Sequence, residues 1–220
     1  MNKLKLGIMG GTFDPIHDGH IKTAYEAYKR FNLDIVLFIP TGVSFFKTGV
    51  SDASIRYEMT CKAVEGYDWA VVSDCEIQRS GNTYTKDTID YLKDKYDDPE
   101  LFFITGSDTI PTLEKWYEFE YVLSNLHFIV TNRTDKGNGA SVKKEYTGNL
   151  SNLHSLKELR EYYINKYNAV IDIMDIDPIE VSSSAVRDAF NTNNTELIDK
   201  LLIPSVVKEY IIEKGLYKNA

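Results

Sequence analysis

The sequence predicts a doubly wound α/β fold, a parallel sheet with helices on both faces. Three observations lead there. Short apolar runs of strand length alternate with helical segments of about 10–15 residues. Small or polar residues (Gly10, Thr41, Gly42, Gly106, Asp108, Arg133) follow those runs, where ligands bind in such sheets. The chain has 220 residues, 43% of them apolar and 26% charged, which is enough to bury a sizeable core.

Each element has its own signature. "KLKLGIM" (3–9) alternates polar and apolar, then turns fully apolar, as a central strand does near its carboxyl end. Ile21, Ala24, Tyr25 and Tyr28 recur at helical spacing and mark one face of a helix from about Gly19 to Phe31. "DIVLFIP" (34–40) is a buried-type strand closed by Pro40, followed by a loop (41–52) rich in Gly, Ser and Thr. Ile55, Met59 and Ala63 define a helix over Ala53–Glu65, and "WAVVSD" (69–74) is the third strand. "TYTKDTIDYLKDKY" (83–96) reads as a helix and "LFFITG" (101–106) as the fourth strand. "TLEKWYEFEYVLSN" (112–125) holds short helices before a fifth strand, "HFIVTN" (127–132). Residues 134–152 have little apolar periodicity and read as a surface excursion. A helix (Leu156–Tyr167) and a strand (Ala169–Ile176) follow, and "VSSSAVRDAF" then opens another helix. The last helix runs from about Pro204 to Lys214. Val206, Val207, Tyr210 and Ile211 share its buried face, and Gly215 caps it. With no internal repeat, residues 1–220 read as one domain in which 134–167 is an insertion.

Charge and cysteine content narrow the function. A net charge of −8 argues against a general nucleic-acid binder, which needs a basic surface. An anionic ligand would have to be met by a few local cations or by a metal. Cys61 and Cys75 form no CxxC pair, which fits a reducing compartment. No run reaches the ~18 apolar residues of a membrane span, and "MNKLKLGIMGG" lacks a leader-like apolar stretch. The expectation is a cytoplasmic protein.

Two motifs carry chemistry. The first is "GGTFDPIHDGH" (10–20). Gly10 and Gly11 can let backbone approach a phosphate, or adopt positive φ in a tight turn. They form neither GxGxxG nor GxxxxGK[ST]. His17 and His20 can cap the start of a helix, bind a metal with Asp14 as third ligand, or donate to a phosphate at the positive end of a helix. HExxH spacing and further nearby His or Cys, which zinc would favour, are missing. The second motif is "VSSSAVR" (181–187). Its serines are N-cap candidates. The same helix start, with Arg187 one turn in, can equally hold a phosphate.

Together "GGTFDPIHDGH" and "SSSAVR" resemble the nucleotidyltransferase superfamily, marked by G-x-F-D-x-x-H-x-G-H and by an S-S/T-x-x-R helix start. "EIQRSGNTYTKDT" (76–88) and "FFITGSDTIPTLEKWY" (102–117) resemble the bacterial nicotinate-nucleotide adenylyltransferases within it. The resemblance covers most of residues 1–133 and again about Glu180 to Tyr217. It implies a Rossmann-like doubly wound sheet with C-terminal helices after the serine motif. It implies transfer of the adenylyl group of ATP to nicotinate mononucleotide, giving deamido-NAD and pyrophosphate in NAD biosynthesis, with Mg²⁺ accompanying ATP. By that resemblance His17, His20 and Arg187 are catalytic. Gly10, Gly11, Thr12, Phe13, Lys47, Gly106, Asp108, Ser183 and Ser184 bind ATP. Tyr84, Thr85, Trp116 and Arg133 bind nicotinate mononucleotide, and no residue is a dedicated metal ligand. Arg56 reads either as a phosphate or loop-closing contact or as a solvated surface arginine. The chain departs from the family at Ser44-Phe45-Phe46, before Lys47, where prolines and a histidine are usual, and at Thr134-Asp135, where Pro-Gly is usual. The partners implied are the two nucleotides, with no nucleic acid or membrane and with room for a homo-oligomer. The alternatives are adenylylation of nicotinamide mononucleotide or another phosphate-bearing acceptor, such as phosphopantetheine, and a nucleotide-binding regulator without catalysis.

Overall fold

The computed structural model describes residues 3–43, 49–133, 150, 153, 155–177 and 179–218. The strands are β1 (Lys5–Gly11), β2 (Ile35–Pro40), β3 (Ala70–Val72), β4 (Glu100–Gly106), β5 (His127–Arg133) and β6 (Val170–Ile176). They form one parallel sheet in the order β3-β2-β1-β4-β5-β6. The order runs outward in both directions from β1 and β4, as a doubly wound fold requires. The helices are α1 (Asp18–Arg30), α2 (Ala53–Val64), α3 (Thr85–Lys95), α4 (Phe119–Asn125), α5 (Leu156–Tyr167), α6 (Ser183–Asn191), α7 (Thr195–Lys200) and α8 (Ser205–Lys214), with a 3₁₀ helix over Ile110–Lys115.

The expected elements are found, with ends displaced by about two residues at most. Three details differ. Gly10 and Gly11 are the last residues of β1 rather than a turn after it. The left-handed residue of that turn is Phe13 (φ 50), whose ring is buried. On α1 the fully buried positions are Ala24 and Ala27, whereas Tyr25 is 42% exposed and rests on Trp69 with ring centroids 5.4 Å apart. On α8 Val207, Tyr210 and Ile211 are buried, but Val206 is 42% exposed, so the apolar stripe is one residue narrower than expected. Helix α7, which buries none of its residues, has no apolar stripe to betray it.

The chain folds as two compact units. The first comprises Met1–Met9, Glu26–Val36 and Tyr84–Pro178. Here β1, β4, β5 and β6 pair in parallel, with Leu6 opposite Leu101, Phe103 opposite Phe128, and Phe128 opposite Ile171. The apolar runs of β1, β4 and β5 are largely buried, as a sheet covered on both faces demands, whereas the edge strand β6 intersperses buried and exposed residues and leaves Val170 51% exposed. Helix α5 begins with a capping box between Ser155 and Glu158 and buries Leu156, Leu159 and Tyr163. The second half of the expected insertion is thus core structure. Residues 134–149, 151, 152 and 154 lie outside the described residues.

The second unit comprises Gly10–Tyr25, Leu37–Thr83 and Ile179–Ala220. Phe13, Ile16, Phe38, Met59, Val186, Phe190, Val207 and Ile211 are buried in it. Gly42, just past β2, packs flat on residues 76–83. A Cβ built there would lie 2.2 Å from the Glu76 carbonyl oxygen. Because that oxygen belongs to backbone, the clash cannot be relieved by a rotamer change. Gly42→Ala should therefore lower unfolding free energy by about 2 kcal/mol or more, read from the midpoint of a urea titration. An unchanged midpoint would show that the segment is free to move.

Candidate functional site

The first expected site residues lie in the loop Thr12–His17, between β1 and α1 in the second unit. Side chains distant in sequence hold the loop through its carbonyl groups. Arg56 Nη1 donates to the Thr12 carbonyl (2.7 Å), Arg187 Nη1 to that of Asp14 (2.7 Å), and Ser183 Oγ to that of Pro15 (2.9 Å). The Asp14 carboxylate is buried and doubly satisfied. It accepts from the Tyr217 hydroxyl (2.8 Å) on one oxygen and from the Ser51 amide (3.2 Å) on the other. Each oxygen thus has a donor within the protein. Among the described residues no group of three or more His, Cys, Asp or Glu is placed to hold a metal ion.

The histidines are close neighbours. His17 is buried and immediately precedes α1, and its backbone N–H donates to His20 Nδ1 (3.2 Å). His20 thus reaches back to the start of the helix as a capping-box side chain does. The two rings stack with centroids 3.6 Å apart and planes 21° apart, and the Phe13 ring meets His20 edge-on at 5.1 Å. An Nδ1 that accepts carries no proton, so the hydrogen of neutral His20 sits on Nε2. The capping role and a donor role therefore use opposite nitrogens of one ring, and the two readings of the motif are compatible.

The three serines differ. Ser182 is the N-cap of α6, its Oγ accepting from the Ala185 amide (3.2 Å). Ser183 binds the loop, and Ser184 is exposed within reach of the Ser182 hydroxyl (3.1 Å). The second phosphate-type motif is thereby bonded to the first across 168 and 173 residues of sequence.

Arg56 is not a solvated arginine. It is 2% exposed, and besides Thr12 it binds the carbonyls of Ser51 (2.9 Å) and Gly42 (3.2 Å). Burial pulls its guanidinium below the usual range, and the charge of Asp14 opposes that shift.

Gly106, Asp108, Tyr84, Thr85, Trp116 and Arg133 lie in the first unit. Gly106 ends β4, and the Asp108 carboxylate folds back over it. A Cβ at residue 106 would lie 2.5 Å from Asp108 Oδ1, so glycine is required for that approach. Thr105 Oγ1 donates to Thr109 Oγ1 (2.6 Å), and the Thr109 amide closes the turn on the Gly106 carbonyl (3.1 Å). Tyr84 is the N-cap residue of α3, its ring 4.7 Å from that of Tyr117, and Thr85 is the first helical residue. Trp116 ends the 3₁₀ helix, donates from Nε1 to Thr112 Oγ1 (3.3 Å), and stands edge-on to Phe103. The neighbouring Glu114 accepts from the hydroxyls of Tyr162 (2.7 Å) and Tyr167 (2.8 Å), tying the 3₁₀ helix to α5. Arg133 is the last residue of β5, and Lys47 lies outside the described residues.

Sequence reasoning missed Ser51 and Tyr217, and named Asp14 only as a third metal ligand in one of three alternatives. No spacing rule marks a phenol two residues past a helix cap as the partner of a carboxylate near residue 14. The convergence on loop carbonyls also sets an energetic expectation. Arg56→Met keeps apolar bulk but strands three acceptors, and should cost about 3 kcal/mol or more of stability in denaturant unfolding. A loss below about 1 kcal/mol would mean that water replaces the guanidinium.

Comparison with known proteins agrees with this architecture. The cytidylyltransferase-like family model matches residues 8–189. A Clostridium botulinum (strain Eklund 17B / Type B) protein named "Probable nicotinate-nucleotide adenylyltransferase" is 38% identical over 98% of both chains. A Clostridium beijerinckii protein of the same name is 34% identical over 97% of this chain and 99% of its own. Among solved structures, the Plasmodium falciparum nicotinic acid mononucleotide adenylyltransferase complexed with NaAD superposes with a TM-score of 0.72 at 20% identity, covering 96% of each chain. The same enzyme complexed with APC gives 0.69 at 21% identity and the same coverage. A match spanning both motifs and nearly the full length places this chain in the nicotinate-nucleotide adenylyltransferase family of cytidylyltransferase-like nucleotidyltransferases.

Proposed function

We propose that this protein transfers the adenylyl group of ATP to nicotinate mononucleotide, forming deamido-NAD and pyrophosphate in NAD biosynthesis. The carrying observation is the bonding of Ser183 and Arg187 to the carbonyls of the loop that holds His17 and His20. Two motifs, each ambiguous alone, form one structure. Relatives above 30% identity over nearly the whole chain bear that enzyme's name, and a structural neighbour of like fold is complexed with NaAD.

In this reading a phosphate oxygen of nicotinate mononucleotide attacks the α-phosphorus of ATP. The bond from that phosphorus to the β-phosphate bridging oxygen breaks, and pyrophosphate leaves. The attacking group is already an anion, so no side chain need act as nucleophile. The chain's task is placement and charge stabilisation. His20 donates from Nε2 to the phosphate oxygen on which charge builds, its Nδ1 being engaged by the His17 amide. His17, stacked on it, donates alongside. Arg187 spends one N–H on the Asp14 carbonyl and offers its others to the triphosphate. Ser183 and Ser184 add hydroxyls at the start of α6, where the helix dipole favours anions. Gly10, Gly11, Thr12 and Phe13 line the phosphate side with backbone, and Lys47 adds a cation there. Gly106 and Asp108 meet the adenosine ribose. Tyr84, Thr85 and Trp116 take the nicotinate ring, and Arg133 the mononucleotide phosphate. Mg²⁺ neutralises the triphosphate when bound. Among the described residues no group of three or more His, Cys, Asp or Glu could hold it, so it would arrive with the triphosphate. An acidic protein thus meets its anionic substrates through a few fixed cations and dipoles. We place the enzyme in the cytoplasm, where ATP is abundant and its two cysteines stay reduced.

The deciding assay is pyrophosphate release with ATP, Mg²⁺ and either pyridine nucleotide. A pocket of N–H donors accepts a ring carboxylate and leaves amide hydrogens facing donors. We expect kcat/KM for nicotinate mononucleotide to exceed that for the amide by about a hundredfold or more. Trp116→Ala should impair both and leave their ratio nearly intact, since stacking on a pyridinium ignores the substituent. Comparable rates with both acceptors would refute the nicotinate assignment. His20→Ala and His17→Ala should each lower kcat by about a hundredfold or more while preserving the fold, and near-normal turnover in the folded double variant would remove the histidines from the mechanism. Arg187→Ala should weaken the use of ATP far more than that of nicotinate mononucleotide, and equal losses would indicate a purely structural arginine.

A further inference from the structure

The turn after α8 has a feature that the proposed chemistry leaves unused. Gly215 caps the helix in the left-handed region (φ 62), and two residues later Tyr217 is left-handed as well (φ 63). A tyrosine rarely takes that conformation, and a bulky residue held there signals a constraint imposed from elsewhere. The constraint is visible in its contacts. The phenol lies between α2 and the loop, 2.8 Å from Asp14 Oδ1 and 3.9 Å from the buried Met59 sulfur. At the other end of the bond, Asp14 directly follows Phe13, which is also left-handed. Thus one hydrogen bond joins two strained stretches of backbone 203 residues apart.

We propose that Tyr217 is a positioning residue for adenylyl transfer, acting through Asp14 to hold the histidine loop in its working shape. The inference rests on the reading of that loop as the phosphate site. Asp14 connects the parts. Its carbonyl holds Arg187, its carboxylate holds the Ser51 amide and Tyr217, and three residues on lies His17. Burial and the neighbouring carboxylate push the Tyr217 phenol upward, so it remains a donor across the working pH range. Without the hydroxyl, one oxygen of a buried carboxylate lacks a partner and the loop can relax to regain one. Histidines displaced by a fraction of an ångström would still bind nucleotide but would fit the transition state poorly.

Tyr217→Phe deletes the hydroxyl and little else. It should lower kcat about tenfold or more while the KM for nicotinate mononucleotide changes less than about twofold, and with the variant shown to be folded that fall reflects poorer transition-state fit rather than a smaller active fraction. Asp14→Ala removes the acceptor and should be at least as slow, and adding Tyr217→Phe to it should cost nothing further, because the hydroxyl acts only through that carboxylate. Thermal melts show that each variant is folded at the assay temperature. Unchanged kcat in folded Tyr217→Phe overturns the proposal, even if its melting temperature drops. Fully additive losses in the double variant overturn it as well, since the two residues would then act separately. His20→Ala is measured alongside. If it loses activity while Tyr217→Phe does not, only the positioning role fails. If it too is unaffected, the phosphate-site reading of the loop fails with it.

Discussion

A carboxylate buried from water must find hydrogen-bond donors within the protein, and the second unit is arranged around that requirement at Asp14. Its donors come from Ser51, ahead of α2, and from Tyr217, after α8. The loop around it has the same need at its carbonyls, supplied by Arg56 of α2 and by Ser183 and Arg187 of α6. A loop of irregular backbone cannot satisfy itself as a helix does. Side chains from three distant segments do so, and in turn each segment's place is set by the loop. Arg56 and Arg187 both bond to carbonyls through guanidinium groups. They therefore hold the backbone and raise the local potential at once, which a serine or asparagine in their place could not do.

The first unit uses different means for a comparable end. Its expected binding residues sit on the ends of regular elements: Gly106 and Arg133 finish β4 and β5, and Thr85 opens α3. Strand register fixes their spacing, so less side-chain bonding is needed. Where the backbone leaves regular structure, at the 3₁₀ helix before Trp116, a polar cluster appears again. Glu114 gathers two tyrosine hydroxyls, and Lys166 lies over both rings. Burial raises the Tyr163 phenol packed against this cluster well above its ordinary range. Helix α5 is thus part of the support for the Trp116 segment.

What was legible in the sequence follows from the range of the forces involved. Strands and helices declare themselves through periodicity, a local property, so their ends were found to within about two residues. The two motifs are each ambiguous by residue type and spacing, and became legible together through their resemblance to a known family. Lost were features decided by what approaches from afar. Arg56 looks like any helix arginine until Thr12, Gly42 and Ser51 present carbonyls to it. Tyr25 and Val206 fit apolar stripes, yet only the packed structure decides which edge of a stripe meets solvent. Of the two readings of the glycine pair, close approach to a phosphate or positive φ, the second does not hold: the left-handed residue is Phe13, whose buried ring anchors that conformation. The serine triplet reads as a group of N-cap candidates, yet Ser182 alone caps the helix, Ser184 meets the Ser182 hydroxyl, and Ser183 turns to the Pro15 carbonyl.

The span of the Asp14–Tyr217 bond bears on how the protein is made. The first unit is complete once Pro178 has been synthesised, and its sheet can assemble from β1, β4, β5 and β6 while translation continues. The second unit takes its first segment from Gly10–Tyr25 and its last from Ile179–Ala220, and its loop waits for a phenol 203 residues downstream. Contacts of such separation form late. A nascent or prematurely terminated chain would carry both histidines yet lack the phenol that bonds Asp14, three residues ahead of the first of them.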